Sequence, residues 1–147
     1  ESFEDLAALF EENPEISDAE LEFLCEEYGL IFNQVDCVRK HYQIVGTHYI
    51  KAWDLGRYVF LCRMGYICHY LTREEALTLM EGIGRKVREE FHSWQEFGEN
   101  YCIGRRFWAA DEPENELAIY NEAMVIFEEL MSEDGAWAKI PWSWANC

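Results

Sequence analysis

Thr72-Arg-Glu-Glu-Ala-Leu-Thr-Leu-Met-Glu-Gly-Ile-Gly-Arg-Lys-Val-Arg-Glu-Glu-Phe91 is the stretch from which the fold is most directly read. Thr72 and Glu75 stand three apart, the spacing at which each side chain can accept a hydrogen bond from the other's backbone N–H at a helix start. Ala76, Met80, Ile83, Val87 and Phe91 then recur on one stripe, with Glu81, Arg85, Lys86, Glu89 and Glu90 on the other side. The segment predicts an amphipathic helix whose apolar stripe needs a helical partner.

The same grammar recurs on both sides. Ser17-Asp-Ala-Glu20 precedes Leu21, Leu24, Cys25 and Tyr28, and Ser93-Trp-Gln-Glu96 opens a helix carrying Trp94, Phe97, Tyr101, Gly104 and Trp108. Phe3, Leu6, Ala7 and Phe10 fall at helical spacing before Pro14 interrupts, and Gly29 closes this short helical pair. Ile31, Val35, Val38 and Tyr42 predict a third helix ending before Gly46, with Thr47 placed to cap the next. From Ile50 to Tyr70 the chain is apolar nearly all round, with Trp53, Leu55, Val59, Phe60, Leu61, Met64 and Ile67. That pattern predicts a helix buried at the centre of the bundle, with a strand as the competing reading at Tyr58 to Cys62. After a turn at Asp111 to Asn115, Leu117, Tyr120, Met124, Phe127 and Leu130 predict a last helix ending before Gly135. Pro141 and the tryptophans at 137, 142 and 144 read as an aromatic lid over the core. No alternating strand, internal repeat or Gly/Ser/Pro-rich linker is visible. The expectation is one all-α domain over 1–147, a bundle of about six to seven helices with a buried central helix.

Charge divides the chain into three parts. Residues 1–30 hold eleven acids and no base, residues 31–110 nine acids and eleven bases, and residues 111–147 nine acids and Lys139 alone, giving −11, +2 and −8 within a net charge of −17. Such a balance repels phosphate backbones and anionic lipid heads, which excludes nucleic acid and membrane as main partners. The longest apolar run, Ala52 to Leu71, is broken by Asp54, Arg57, Arg63 and His69, so no membrane span is expected and the chain reads as cytoplasmic.

Six cysteines occur at 25, 37, 62, 68, 102 and 147. Cys25, Cys62, Cys68 and Cys102 lie among Leu, Phe, Ile and Tyr in helical patterns, where a free thiol packs as a small apolar side chain, so reduced core cysteines are expected. There is no Cys-x-x-Cys or His-Glu-x-x-His, and no metal or other cofactor is expected. A phosphate-binding Gly loop, a nucleophile elbow, the deaminase signature and an EF-hand loop are all missing, so no catalytic residues can be named.

Polar residues inside apolar segments remain to be placed. Asp54 and Arg57 stand three apart in the least polar helix, and Asn100, Arg105 and Arg106 lie among aromatics between Gly98 and Trp108. One reading joins Asp54, Arg57, Asn100 and Arg105 in a buried hydrogen-bonded network between two helices, with Gly98 and Gly104 allowing close approach. The other makes them a pocket for an anionic ligand or an active site.

Ala52-Trp-Asp-Leu-Gly-Arg57, Arg63-Met-Gly-Tyr66 with Tyr70-Leu-Thr-Arg-Glu-Glu-Ala76, Ser93-Trp-Gln-Glu-Phe-Gly-Glu-Asn-Tyr101 and Gly104-Arg-Arg-Phe-Trp108, in this order, resemble the bacterial domain of unknown function family 1266, the YbeU/YbeR-like proteins. The resemblance covers about residues 47–110. Its pattern falls on Trp53, Asp54, Gly56, Arg57, Arg63, Gly65, Tyr66, Leu71, Glu75, Trp94, Phe97, Asn100, Gly104, Arg105 and Trp108, and Cys68-His69 departs from it. It implies a fold signature without an activity.

Function is therefore read from charge. The expectation is a non-enzymatic inhibitor, an immunity protein that covers the active site of a basic toxin such as a nuclease by presenting carboxylates where phosphates would lie. Its expected binding residues are Glu11, Glu12, Glu15, Glu22 and Glu26 of the N-terminal segment 1–30 and Asp111, Glu112, Glu114 and Glu116 of the C-terminal segment 111–147, flanking a family-like core at 47–110. The alternatives are an enzyme or small-anion-binding protein using Asp54, Arg57 and Arg105, and a cytosolic adaptor.

Overall fold

The computed structural model describes residues 2–111 and 113–143, and the side chains of 113–116 lie outside that description. Among the described residues every regular element is helical: α1 (Phe3–Glu12), α2 (Asp18–Tyr28), α3 (Phe32–Val45), a 3-10 turn at Gly46–His48, α4 (Lys51–Ile67), α5 (Arg73–Glu90), α6 (Trp94–Trp108), α7 (Pro113–Met131) and the single turn α8 (Ala136–Lys139). The all-α expectation is met, and Tyr58 to Cys62 is helix.

Capping does what the sequence predicts at two of three starts. Ser17 Oγ accepts from Glu20 N at 3.3 Å while the Glu20 carboxylate accepts from Ser17 N at 3.0 Å, and Thr72 and Glu75 repeat this at 3.2 and 2.8 Å. At Ser93 only the forward half forms, because Glu96 turns its carboxylate to the backbone N–H of His92. A further reciprocal box, Ser2 with Asp5, starts α1 and was not anticipated. The last helix begins at Pro113, ahead of the expected turn's end, since proline suits a first helical position.

The central helix is not the expected one. α6 packs against α3, α4 and α7; α1 and α2 pack on α3, α5 on α4, and α8 on α7. α4 therefore has partners on two sides, and Phe60 and Leu61 remain 58% and 62% exposed, with Tyr66 and Ile67 also on the surface. Apolar composition states what a helix could bury; topology decides how many neighbours it receives. α6 earns its place by small size at the crossings. A Cβ on Gly104 would overlap Trp53 Cβ of α4 and stand 3.1 Å from Ile50 Cβ, and one on Gly98 would overlap the Phe127 ring and stand 2.9 Å from that of Trp137.

Two cores result. The larger joins Phe3, Leu6 and Phe10 of α1 with Leu21, Val35, Val38, Ile103 and Phe107, and the smaller joins Cys102 of α6 with Ala123 and Phe127 of α7. The aromatic tail covers the smaller core as expected: Trp137 stacks on Trp94 at 4.9 Å, and Trp142 meets Trp94 edge-on at 4.8 Å. Trp144 and Cys147 lie outside the described residues. Cys25, Cys37, Cys62 and Cys102 are buried free thiols, whereas Cys68 is exposed, because α4 ends at Ile67 and leaves it past the packed turn.

Candidate protein-binding face

The acidic face is built on α1 and α2. Phe3, Leu6, Ala7 and Phe10 on α1 and Leu21 and Cys25 on α2 are buried, so the carboxylates between them point outward by helical geometry. Glu11, Glu12, Glu15, Glu22 and Glu26 are all exposed, as the sequence predicts. The two cap acids, Asp5 and Glu20, are already engaged, and the hydrogen bonds from Ser2 and Ser17 hold their carboxyls below the usual range. Asp18 pairs with Arg39 at 2.6 Å, and Arg39 also reaches Asp36 at 2.8 Å, which fastens α2 to α3. Asp18 is the one acid of residues 2–30 in an ion pair among the described residues. Glu11, Glu12, Glu15, Glu22 and Glu26 make no ion pair among the described residues.

Between the α1–α2 link and α2 runs a groove of about 620 Å³, floored by Ile16, Ala19, Phe23 and Leu24 and bordered by Asn13, Glu15 and Glu20. Phe23 is 62% exposed and Tyr28, further along α2, is 68% exposed. Sequence periodicity does not single out Phe23 as a contact residue. Yet it lies two residues from buried Leu21, about 200° round the helix, which is the signal that would have placed it outside. An apolar centre with a charged rim is the anatomy of a protein interface.

Of the second acidic segment, Asp111 is the expected binding residue whose side chain is described. Asp111 is exposed and shares a recess with Ile31, Phe32, Asn33 and Ala110, where α2 hands over to α3. Glu112 and the side chains of Glu114 and Glu116 lie outside the described residues.

The expected network of Asp54, Arg57, Asn100 and Arg105 is not assembled. Asp54 and Arg57 are exposed on α4, and no hydrogen bond or ion pair joins either of them to Asn100 or Arg105 among the described residues. The spacing of three puts Asp54 and Arg57 on one face, but that face looks to solvent because α4 is lateral. Arg57 instead lies over the rings of Trp53 and Trp108, 5.8 and 5.2 Å from their centroids. Arg105 points to α7, its Nη2 3.6 Å from Glu122.

Asn100 alone is buried, 4% exposed, and its role is sharper than expected. Its Oδ1 accepts from Ala52 N at 3.0 Å, and its Nδ2 donates to the Tyr49 carbonyl at 2.6 Å. The N-cap of α4 is Ile50, which has no side chain able to cap, and Thr47 does not take that role. Asn100 therefore supplies the missing N-cap across the bundle, and it also holds Tyr49, a non-glycine residue at φ 46°. No local motif betrays a cap donated from 48 residues away.

The family described as protein of unknown function (DUF1266) matches residues 2–142. The chain belongs to this family. DUF1266 thus reaches well beyond residues 47–110 and takes in α1 and α2, so the acidic helices are part of the family's extent and are no addition to it. The chain is 32% identical over 127 residues to "Uncharacterized protein YbeU" of Escherichia coli (strain K12), covering 79% of this chain and 53% of that protein. It is 33% identical over 66 residues to "Uncharacterized protein YbeR" of the same organism, covering 45% of this chain and 28% of that protein. The chain spans about half the length of YbeU. No solved structure matches. Several positions of the DUF1266 pattern now have physical reasons: Gly104 lets α6 cross Trp53, Asn100 caps α4, and Trp94 anchors the tail by donating to the Ile140 carbonyl at 2.7 Å.

Proposed function

We propose that this DUF1266 chain is a non-enzymatic binding protein that captures a basic protein on its α1–α2 face. Within that class, the reading is an immunity protein that neutralises a cognate bacterial toxin, such as a basic nuclease, by covering its active site. The observation that carries it is the set of exposed carboxylates Glu11, Glu12, Glu15, Glu22 and Glu26, unpaired with any base, on the same helical pair as an apolar groove holding exposed Phe23. Phe23 would fill the desolvated centre of the contact, and the surrounding acids would draw in and orient a cationic partner. A nuclease site built to hold phosphates accepts such a row of carboxylates for the same electrostatic reason. Among the described residues no helix is long and apolar enough to cross a membrane, and no His, Cys, Asp or Glu cluster could hold a metal ion.

The test uses immobilised wild type and a Glu22→Lys/Glu26→Lys chain against lysate of the source cell. The expected result is a basic protein retained by the wild type, lost on the reversed chain, and inhibited in its own activity when the wild type is added back. Retention of the same partners by both chains contradicts the reading. A partner that binds through α1–α2 but is not inhibited leaves the binding face standing and removes the immunity role.

A further inference from the structure

A second site lies on the opposite side of α6 from the larger core. α6, α7 and α8 enclose a cavity of about 240 Å³ whose walls include Gly98, Cys102, Ala123, Phe127 and Trp137, with Arg105 as its charged lining residue. We propose that this cavity binds a small apolar carboxylate, such as an aromatic or branched monocarboxylate, with Arg105 as its counter-charge.

Size sets the scale of the ligand. A cavity of about 150 Å³ lined by apolar side chains admits benzene, so the larger space here takes a ring with a short acid arm. The walls are preformed. Trp137 is stacked on Trp94 and edge-on to Phe127 at 6.1 Å, and Gly98 lets both rings approach α6 closely. Burial pushes the Cys102 thiol in this wall up to about 11, with Glu99 adding to the rise and Arg105 opposing it.

Arg105 supplies the specificity. Its Nε is buried with no hydrogen-bond partner among the described residues. Its Nη2 stands 3.6 Å from a carboxylate oxygen of Glu122, longer than a hydrogen bond, and Glu122 is itself largely in solvent. Nε has no accessible surface, so the donors open to a ligand carboxylate are the Nη atoms at the end of the guanidinium. A ligand carboxylate there would take the place of a loose, exposed partner. A neutral ligand would bring no charge to make that exchange. This site is separate from the α1–α2 face, so either reading stands or falls alone.

Phenylacetate and its neutral isostere phenylacetamide are the probes, titrated by calorimetry into the full chain, with Trp137 in the wall as a fluorescence reporter. The expected result is saturable 1:1 binding of phenylacetate, weakened about tenfold or more for phenylacetamide and for Arg105→Gln, as losing a charge-assisted pair implies. Ala123→Leu fills the cavity and leaves Arg105 in place, so it should abolish binding even if Arg105→Gln folds poorly. No saturation at millimolar phenylacetate, equal affinity for the amide, or undiminished binding in the Ala123→Leu chain would overturn the proposal.

Discussion

The α1–α2 pair and the α4–α6 crossing use the same alphabet of helix to opposite ends. In α1 and α2 every start is capped by its own serine, the buried stripe is complete, and Glu11, Glu12, Glu22 and Glu26 are exposed and in no ion pair among the described residues. At the α4–α6 crossing the cap of one helix is supplied by the other, and a glycine contact sets the distance between them. The first region is self-sufficient, and in the proposed function its charge meets a basic partner. The second region depends on its partner and holds the bundle together. Substitutions should therefore separate cleanly: the crossing governs stability, and the acidic pair governs recognition.

The largest effect is expected at the crossing. Gly104→Val places side-chain atoms where Trp53 already stands, and overpacking of this kind costs about 3 kcal/mol or more. Urea unfolding should show the loss, and an unchanged midpoint would mean that α4 and α6 can move apart freely. Asn100→Ala follows at about 2 to 3 kcal/mol, since it removes the cap on Ala52 and leaves the Tyr49 carbonyl without its donor. The same measurement checks it, and the loss should exceed that of Thr72→Ala, a local cap worth about 1 kcal/mol.

Acid should weaken the charge cluster on α3. Burial raises the Asp36 carboxyl, but hydrogen bonds from Lys40 and Arg39 outweigh it and hold the group below the usual aspartate value. A lowered folded value means stability that is present above the unfolded value of about 3.9 and lost as pH falls through the folded one. Asp36→Asn should lower stability at neutral pH and flatten the loss below about pH 4, read from unfolding midpoints across a pH series. The smallest effect is expected from Glu22→Lys/Glu26→Lys, both exposed, which should change stability by no more than about 0.5 kcal/mol. A large destabilisation there would break the comparison by giving the acidic face a structural role.

The two regions also differ in how much their sequence reveals. Ser17 with Glu20, the stripe of Phe3, Leu6, Ala7 and Phe10, and the exposed glutamates are all local patterns, and each appears where periodicity puts it. At α4 the local pattern is silent on burial, because neighbour number is a property of topology. Asp54 and Arg57 sit together on one face as predicted, yet that face meets water, and Arg57 rests on Trp53 and Trp108 instead of a carboxylate. Gly98 and Gly104 were legible as close approaches, while what they approach, Phe127 and Trp53, was not. Arg105 and Asn100 are adjacent in the reading but face different helices, because five residues carry α6 about 140° round its axis.

In the proposed function, free charge on α1 and α2 drives recognition of a basic protein. The most direct measurement is the association rate of the wild type with its captured partner over a salt series, beside the Glu22→Lys/Glu26→Lys chain. Recognition by free carboxylates predicts a rate that falls steeply with salt for the wild type and is slower and flatter for the reversed chain, with dissociation changed less. Rates that are indifferent to both salt and charge reversal would contradict it.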